Sequence, residues 1–385
     1  MNPSKGYQAP PFRADHVGSL LRPAELLSAR ERQLGPQTAD QHLGPHENAE
    51  LQAIEDRCIS EAVAMQERLG LRAVTDGEFR RRSWWLELLL NWEGISAHRT
   101  GSTEFAWRTP EGPRQAFSRL WLHGPIRWRP SPIVRAFAFL KSNTRAVPKV
   151  TIPAPNMIHL IAGGAKGIRE THYKDVDLFW HDLVAAYRQE LTALVSVGAR
   201  YIQLDDTSIA FLCDPAHRQT ITSWGTDPNA LLLEYADRVN QVVAGLPGDV
   251  TIAMHQCRGN REGSWAAEGG YDPVADVLFN RIKVHAYLLE YDTPRAGSFE
   301  PLRLLPKGKV AALGLISTKT PELENADDLR RRIDEAAQFA PIEQLAISPQ
   351  CGFASSIRGN PVTEADQSAK LARIVEVARD VWHGV

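Results

Sequence analysis

A chain of 385 residues with 43% hydrophobic and 23% charged residues has a globular composition, which excludes a disordered or fibrous protein. Its formal net charge of −2 provides no basic field for nucleic acid, and no apolar run reaches the ~20 residues that cross a membrane. The amino terminus has no apolar core of the signal-peptide type, so the sequence predicts a cytoplasmic chain without a membrane or nucleic-acid partner.

Eight short β-branched or apolar runs follow one another along the chain, separated mostly by helical patterns. The runs are RADHVGS (13–19), LRAVTDGE (71–78), KVTIPAP (149–155), ARYIQLDD (199–206), DVTIAMHQC (249–257), IKVHAYLLE (282–290), GKVAALGLIS (308–317) and EQLAISPQCG (343–352). Helices are predicted at about 175–197 and 229–244, and from Asn325 onward. Eight parallel strands joined by helices close a barrel, so we expect one (β/α)8 TIM-barrel domain over 1–385. An open doubly wound sheet is disfavoured because no GxGxxG follows the first run.

Residues 80–148 break this rhythm and form a predicted insertion after the second strand. Six of the ten tryptophans fall there, namely Trp84, Trp85, Trp92, Trp107, Trp121 and Trp128. One interpretation is a subdomain with a small aromatic core of its own. The other is a lid or aromatic wall over a binding cleft.

Two of the four cysteines lie where a barrel carries its chemistry, at the carboxyl ends of the strands. Cys257 ends the fifth run and Cys351 ends the eighth, whereas Cys58 and Cys213 lie outside the runs and are interpreted as structural. A large cytosolic chain has no need of disulfides, so the position of Cys257 and Cys351 calls for another explanation.

His255 and Cys257 are two residues apart on an extended segment, so their side chains project to the same side. An imidazole and a thiolate are half of a tetrahedral zinc site, although a His-x-Cys pair by itself is more often packing than ligation. Cys351 could add a second sulfur and Glu290 a carboxylate. Such a thiolate-rich set favours zinc over magnesium or calcium.

Six stretches resemble the catalytic half of the cobalamin-independent methionine synthases, and their short stand-alone bacterial relatives. The stretches are FRADHVGSLLRPAEL, AVTDGEFRRRSWW, YIQLDDTS, MHQCRGN, LGLISTKTPELE and ISPQCGF, which span Phe12 to Phe353. The resemblance implies a (β/α)8 barrel and a zinc-dependent S-methyltransferase. That enzyme would methylate the thiol of homocysteine to methionine, with a zinc-bound thiolate as nucleophile.

The resemblance also implies roles for particular residues. The implied zinc ligands are His255, Cys257, Glu290 and Cys351. The implied amino-acid site comprises the turn Val17, Gly18 and Ser19 and two carboxylates, Glu78 and Asp205, that clasp the ammonium group. For these carboxylates the alternative is an ordinary ion pair with Arg80 or Arg13.

Lys319 departs from the family pattern, because it stands where the synthases place a catalytic histidine that protonates the folate leaving group. A lysine there could donate the proton or orient a phosphate or carboxylate. The alternative is a structural pair with Glu290 or Asp292.

The methyl donor stays open, because the full synthase carries a second barrel for folate binding and this chain does not. A folate, methylcobalamin, an S-methyl compound and a carrier protein are all compatible with the sequence, as is a homo-oligomer. A second candidate function is alkylation of another thiol by another electrophile, as in the epoxyalkane:coenzyme M transferases. Glu78 and Asp205 argue against it, because they would repel a sulfonate.

Two further groups are expected near the donor. The arginines Arg80, Arg81 and Arg82 are interpreted either as a solvated charge run or as a site for an anionic donor tail. His159, which follows the third run, is expected to reach the mouth of the barrel.

Overall fold

A computed structural model describes residues 9–35 and 46–385, without the side chains of 97–104 and 113–119. The strands are β1 (Ala73–Val74), β2 (Glu93–Thr109), β3 (Gly112–Arg127), β4 (Val147–Pro153), β5 (Tyr201–Asp206), β6 (Thr251–Gln256), β7 (Ala286–Glu290), β8 (Val310–Ile316) and β9 (Leu345–Pro349). The helices are α1 (Ala24–Leu34), α2 (Ala49–Leu69), α3 (Leu86–Leu89), α4 (Pro132–Ser142), α5 (Asn156–Ile161), α6 (Gly164–Arg169), α7 (Val176–Ser196), α8 (Ser208–Phe211), α9 (Pro215–Ser223), α10 (Pro228–Val243), α11 (Ala326–Ala336) and α12 (Glu364–Trp382).

Seven of these strands form one parallel sheet in the order β1-β4-β5-β6-β7-β8-β9. The first predicted run lies beside the last strand, where Ala14 bridges Ile347 in parallel. The same segment reaches the opposite edge, because Thr75 Oγ1 donates to Gly18 O at 2.6 Å and Leu20 N donates to Gly77 O at 3.0 Å. The sheet is therefore curled, with residues 13–20 between its two edges.

Two of the predicted strands are shorter than expected. The run 71–78 is extended only at β1, because the chain then turns through Gly77 and Glu78, whose φ angles are 66° and 60°. The run 13–19 forms a single bridge rather than a strand. It leaves the extended conformation at Gly18, where φ is 138°.

The predicted helices at 175–197 and 229–244 and from Asn325 are confirmed to within a residue by α7, α10 and α11. Local capping sets their starts. The carboxylate of Asp175 accepts from Asp177 N, and Asn325 Oδ1 accepts from Asp327 N and Asp328 N. Each cap satisfies amide groups that a helix start otherwise leaves unpaired. No helix in 9–35 or 46–385 combines the length and apolar character needed to cross a membrane. The amino-terminal residues behind the cytoplasmic prediction lie partly outside the described residues.

Between β1 and β4 the chain forms an antiparallel hairpin, β2–β3, flanked by α3 and α4. Its base packs on α7, where the rings of Trp92 and Tyr187 meet edge to face at 5.0 Å. Trp128 Nε1 also donates to Glu190 Oε2 at 2.7 Å. Buried hairpin residues such as Trp92 and Leu122 belong to the same continuous core as α7.

A buried ion pair lies inside the curled sheet. Lys149 Nζ donates to Asp15 Oδ1 at 2.9 Å and to His16 O at 2.7 Å, and both charged side chains are almost completely buried. Tyr201 OH donates to the second oxygen of Asp15. These bonds attach residues 15–16 to β4 and β5.

Replacing Lys149 by Met is expected to lower the free energy of unfolding by about 3–5 kcal/mol, because Asp15 would remain buried without its cation. Urea denaturation measures the change. Arg57→Met, which breaks the exposed Arg57–Glu25 pair, is the control and should leave the unfolding midpoint nearly unchanged. A Lys149→Met protein as stable as this control would contradict the role given to the buried pair.

Candidate active site

The strand ends of the curled sheet surround one pocket. Asp205, in β5, stands in register with His255 in β6, so their side chains meet at the same level. Its polar lining includes Ser19, Glu78, Asp205, His255, Cys257 and Cys351. Its apolar and aromatic lining includes Val17, Trp84, Trp85, Trp107, Ile161 and Phe211. The segment 13–20, the strand ends and the tryptophan-bearing region thus contribute to one cavity.

Four predicted ligand residues converge in the interior. One ligand atom from each of His255, Cys257, Glu290 and Cys351 lies within 4.8 Å of all the others, and all four residues are buried. The two sulfurs are 3.5 Å apart. This group could hold a metal ion.

The orientation of two of these groups supports that interpretation. His255 Nδ1 lies 3.1 Å from Leu288 O, and a proton donated there leaves Nε2 with a free lone pair. Arg258 N donates to Glu290 Oε1 at 2.8 Å. The remaining atoms, His255 Nε2 and Glu290 Oε2, are buried and have no hydrogen-bond partner among the described residues. Buried polar atoms without a partner are costly, and a cation would satisfy both.

The four groups compete for protons. The hydrogen bond between the sulfurs holds the pKa of Cys351 well below that of a free thiol and raises the pKa of Cys257. Burial alone would lower the pKa of His255, but the nearby Cys351 sulfur and the Asp205 carboxylate raise that pKa to about 9. Burial raises the pKa of Glu290. A cation in this cluster would replace the shared protons.

Glu78 and Asp205 line the pocket without the arginine partners that were considered for them. Arg80 pairs with Glu55 and Asp56 instead, and Arg13 donates to the Glu343 carbonyl oxygen. Glu78 has a different cation nearby, Arg81, whose Nη1 is 3.6 Å from Glu78 Oε1. Its other oxygen, Oε2, is buried without a hydrogen-bond partner among the described residues. Burial raises the pKa of Asp205 to about 7.

Two glycines permit the close approach of the chain around these groups. A Cβ on Gly352 would stand 2.0 Å from Ser19 Oγ. A Cβ on Gly18 would stand 2.7 Å from Thr151 Cγ2, at a φ of 138° that side chains rarely adopt. The predicted turn Val17-Gly18-Ser19 is therefore packed directly against the Cys351 loop and β4.

Lys319 is buried and its Nζ has no hydrogen-bond partner among the described residues, so a structural pair with Glu290 or Asp292 does not form. Asp292 bonds Ser317 Oγ at 2.9 Å instead. The ammonium group nevertheless acts through space on the candidate metal-binding group of His255, Cys257, Glu290 and Cys351. It favours the ionised forms of Glu290, Cys257 and Cys351.

Two expectations about neighbouring groups were wrong. Arg81 and Arg82 are buried, so this is not a solvated charge run, and Arg81 Nη2 donates to Thr151 O at 2.8 Å. His159 does not reach the pocket. It lies in α5, stacked on Trp180 with its Nδ1 3.0 Å from Tyr235 OH, and burial lowers its pKa to about 3. Because the chain turns into α5 soon after β4, the ring packs against Trp180 and does not line the pocket.

Sequence reasoning missed the residues that hold the ligands in place. Arg258 Nη1 donates to Tyr271 OH at 2.7 Å, and Glu290 N donates to the same hydroxyl at 3.0 Å. Asn260 Nδ2 donates to Gly352 O at 2.7 Å, which positions the loop of Cys351. For Arg258 and Asn260 the signal in the sequence is their place directly after Cys257, in the stretch MHQCRGN, whereas Tyr271 lies outside every quoted stretch.

Comparison with known proteins matches this chain to one family. The family described as cobalamin-independent synthase, catalytic domain, matches residues 144–380. The uncharacterized protein YxjH of Bacillus subtilis (strain 168) is 40% identical over 97% of this chain and 95% of its own. A methionine synthase of Pyrococcus horikoshii is 25% identical over 88% of this chain and 85% of its own.

A solved structure extends the match to nearly the whole fold. It is a candidate vitamin-B12-independent methionine synthase from Listeria monocytogenes, which superposes with a TM-score of 0.74 at 32% identity. The match covers 97% of this chain and 99% of that one. The chain therefore belongs to the family of the cobalamin-independent methionine synthases and carries its catalytic domain.

Proposed function

We propose that this protein is a zinc-dependent S-methyltransferase that methylates the thiol of homocysteine to give methionine. The observation that carries the proposal is the buried group of two sulfurs, an imidazole and a carboxylate beside two carboxylates in one pocket. The named methionine synthases among its relatives support the same reaction.

The donor set fits zinc. His255, Cys257, Glu290 and Cys351 would hold the ion, because two thiolates with an imidazole favour zinc over magnesium or calcium. Zinc bound there supplies a site at which a thiol loses its proton at neutral pH and stays nucleophilic.

The other residues of the pocket would hold the amino acid. The free Oε2 of Glu78 and the carboxylate of Asp205 face the same cavity and would bind the ammonium group of homocysteine. The turn Val17-Gly18-Ser19 would fix the amino-acid backbone. Bound in this way, the amino acid would have its thiol beside Cys257 and Cys351.

In the transfer, the new sulfur–carbon bond forms as the bond between the methyl group and its donor breaks. The electron pair leaves with the donor. A folate leaving group then takes up a proton on its nitrogen, whereas the thioether left by an S-methyl sulfonium compound or the cob(I)alamin left by methylcobalamin needs none. We assign that proton to Lys319, whose buried Nζ makes no hydrogen bond to the described residues. The aromatic residues that line the pocket would contact a folate, methylcobalamin or an S-methyl compound as donor.

We further propose that the curled sheet closes as a (β/α)8 barrel, with 1–385 as one catalytic domain and 80–148 as an insertion. The bonds of residues 13–20 to both edges support closure. Trp84, Trp85 and Trp107 reach the pocket from that insertion.

The direct test is a methyl-transfer assay on the zinc-loaded protein with homocysteine and one donor of each class. The donors are 5-methyltetrahydrofolate, methylcobalamin and S-methylmethionine, each with a labelled methyl group. We expect labelled methionine from at least one donor, detected by mass spectrometry, and none after chelation of the metal. No methionine from any donor, with zinc bound, would contradict the proposal.

Zinc content tests the ligand set. The wild-type protein should bind one zinc ion per chain, and Cys351→Ser should lose most of it, because a hydroxyl is a poor zinc ligand. Elemental analysis of dialysed protein measures the ratio. Cys58→Ala, which removes a buried thiol on α2, is the matched control and should keep full zinc. Full zinc in Cys351→Ser would remove Cys351 from the set.

Neutralising either carboxylate tests the amino-acid site. Glu78→Gln and Asp205→Asn should each raise KM for homocysteine by about 10–100-fold, the effect of losing one charge-assisted hydrogen bond. KM for the donor should change little. Steady-state kinetics measure both constants, with Asp249→Asn at an exposed ion pair as the control. An unchanged KM for homocysteine in both variants would exclude the clasp.

A further inference from the structure

Directly beneath the two carboxylates of the pocket lies a pair of neutral polar side chains. Thr151 on β4 and Gln203 on β5 are partners in the register of the parallel sheet. Gln203 is two residues before Asp205, so the two side chains point to the same face of the strand. Thr151 and Gln203 are both buried, at 2% and 0% exposure. They therefore form a buried layer below Glu78 and Asp205, the two carboxylates predicted to bind the ammonium group.

Gln203 joins one carboxylate to the amino-acid turn. Its Nε2 donates to Asp205 Oδ1 at 2.6 Å and to Val17 O at 2.7 Å. Both hydrogens of the amide are then used. Asp205 and the turn at Val17 are thus held at a fixed separation by one side chain.

Thr151 plays the corresponding part for Glu78. Its hydroxyl donates to Glu78 Oε1 at 2.7 Å, and its methyl group fills the space that a Cβ on Gly18 would need. The same hydroxyl accepts from Arg81 Nη1 at 3.3 Å. Thr151 Oγ1 is therefore hydrogen-bonded to both groups of the Arg81–Glu78 ion pair, whose Nη1 and Oε1 atoms are 3.6 Å apart.

The consequence is chemical as well as geometric. A neutral donor orients a carboxylate without cancelling its charge, as Gln203 does for Asp205, whereas a cation hydrogen-bonded to it would compete with a ligand's ammonium group. Arg81 Nη1 is 3.6 Å from Glu78 Oε1, an ion pair without a direct hydrogen bond. Glu78 Oε2 remains without a hydrogen-bond partner among the described residues, and Asp205 lines the pocket.

We propose that Thr151 and Gln203 are positioning residues for the ammonium group of the amino-acid thiol. They orient Glu78 and Asp205 relative to the Val17–Gly18 turn and keep one face of each carboxylate available. This inference rests on the proposed function. It adds that Thr151 and Gln203, which lie below the carboxylates, determine how tightly the amino group is bound.

The test compares two thiols that differ only in the amino group, homocysteine and 4-mercaptobutyrate. Their affinities are measured by titration calorimetry on the zinc-loaded wild type and on Thr151→Val and Gln203→Met. Thr151→Val keeps the methyl group against Gly18 and removes the hydroxyl, and Gln203→Met keeps the length and removes the amide. Each variant should bind homocysteine about tenfold more weakly, the effect of losing one orienting hydrogen bond, and 4-mercaptobutyrate within twofold of wild type.

Two further variants separate positioning from general damage. Thr151→Ser keeps the hydroxyl and should restore the affinity for homocysteine. Ser348→Ala removes a buried hydroxyl of β9 that has no hydrogen-bond partner among the described residues, and it should change neither affinity. Zinc content and circular dichroism confirm that each variant is folded and loaded. Thr151→Val and Gln203→Met change different strands. If one of these variants does not fold, the thiol affinities of the other still test the proposal.

Unchanged affinity for homocysteine, or an equal loss for both thiols, would overturn this inference and leave the proposed function intact. Failure of the wild-type protein to bind homocysteine would overturn the proposed function, and with it the positioning role.

Discussion

The site depends on how the segment 13–20 is held between the two edges of the curled sheet. Its backbone bonds Ile347 on one side and Gly77 on the other. From inside the sheet, Lys149 holds Asp15 and Gln203 holds the carbonyl group of Val17. Because residues 17–19 of the segment also line the pocket, the bonds that bring the sheet edges together are the same bonds that shape the substrate site.

A second constraint is electrostatic. Two thiols, an imidazole and a carboxylate lie together, and all four side chains are buried. In such a place ionised groups are costly unless an opposite charge or a shared proton offsets them. The Cys257–Cys351 hydrogen bond accordingly lowers the pKa of Cys351 and raises that of Cys257, and the Cys351 sulfur and the Asp205 carboxylate raise the pKa of His255. A divalent cation would satisfy all four groups at once, which is why we connect this cluster with zinc.

Much of the architecture could be read from local patterns. The start of α7 at Asp175 and of α11 at Asn325 follows from capping side chains that act within three residues. Local patterns were less informative for side chains whose burial and direction depend on contacts with distant parts of the chain. Arg81 is buried against Thr151, 70 residues further along the chain, and no local pattern distinguishes it from a solvated arginine. His159 follows a strand as the pocket residues do, but the turn of α5 directs it toward Trp180.

By itself the sequence determined which chemical groups this protein has, their order along the strand ends and, through the quoted motifs, the family. It determined that His255 and Cys257 project together, because side chains alternate along an extended strand. Only the tertiary structure decided that Glu290 and Cys351 join them, and that Glu78 keeps an oxygen free while Thr151 stands beside Arg81. Those facts depend on strand register and on the curl of the sheet, which bring together residues far apart in the chain.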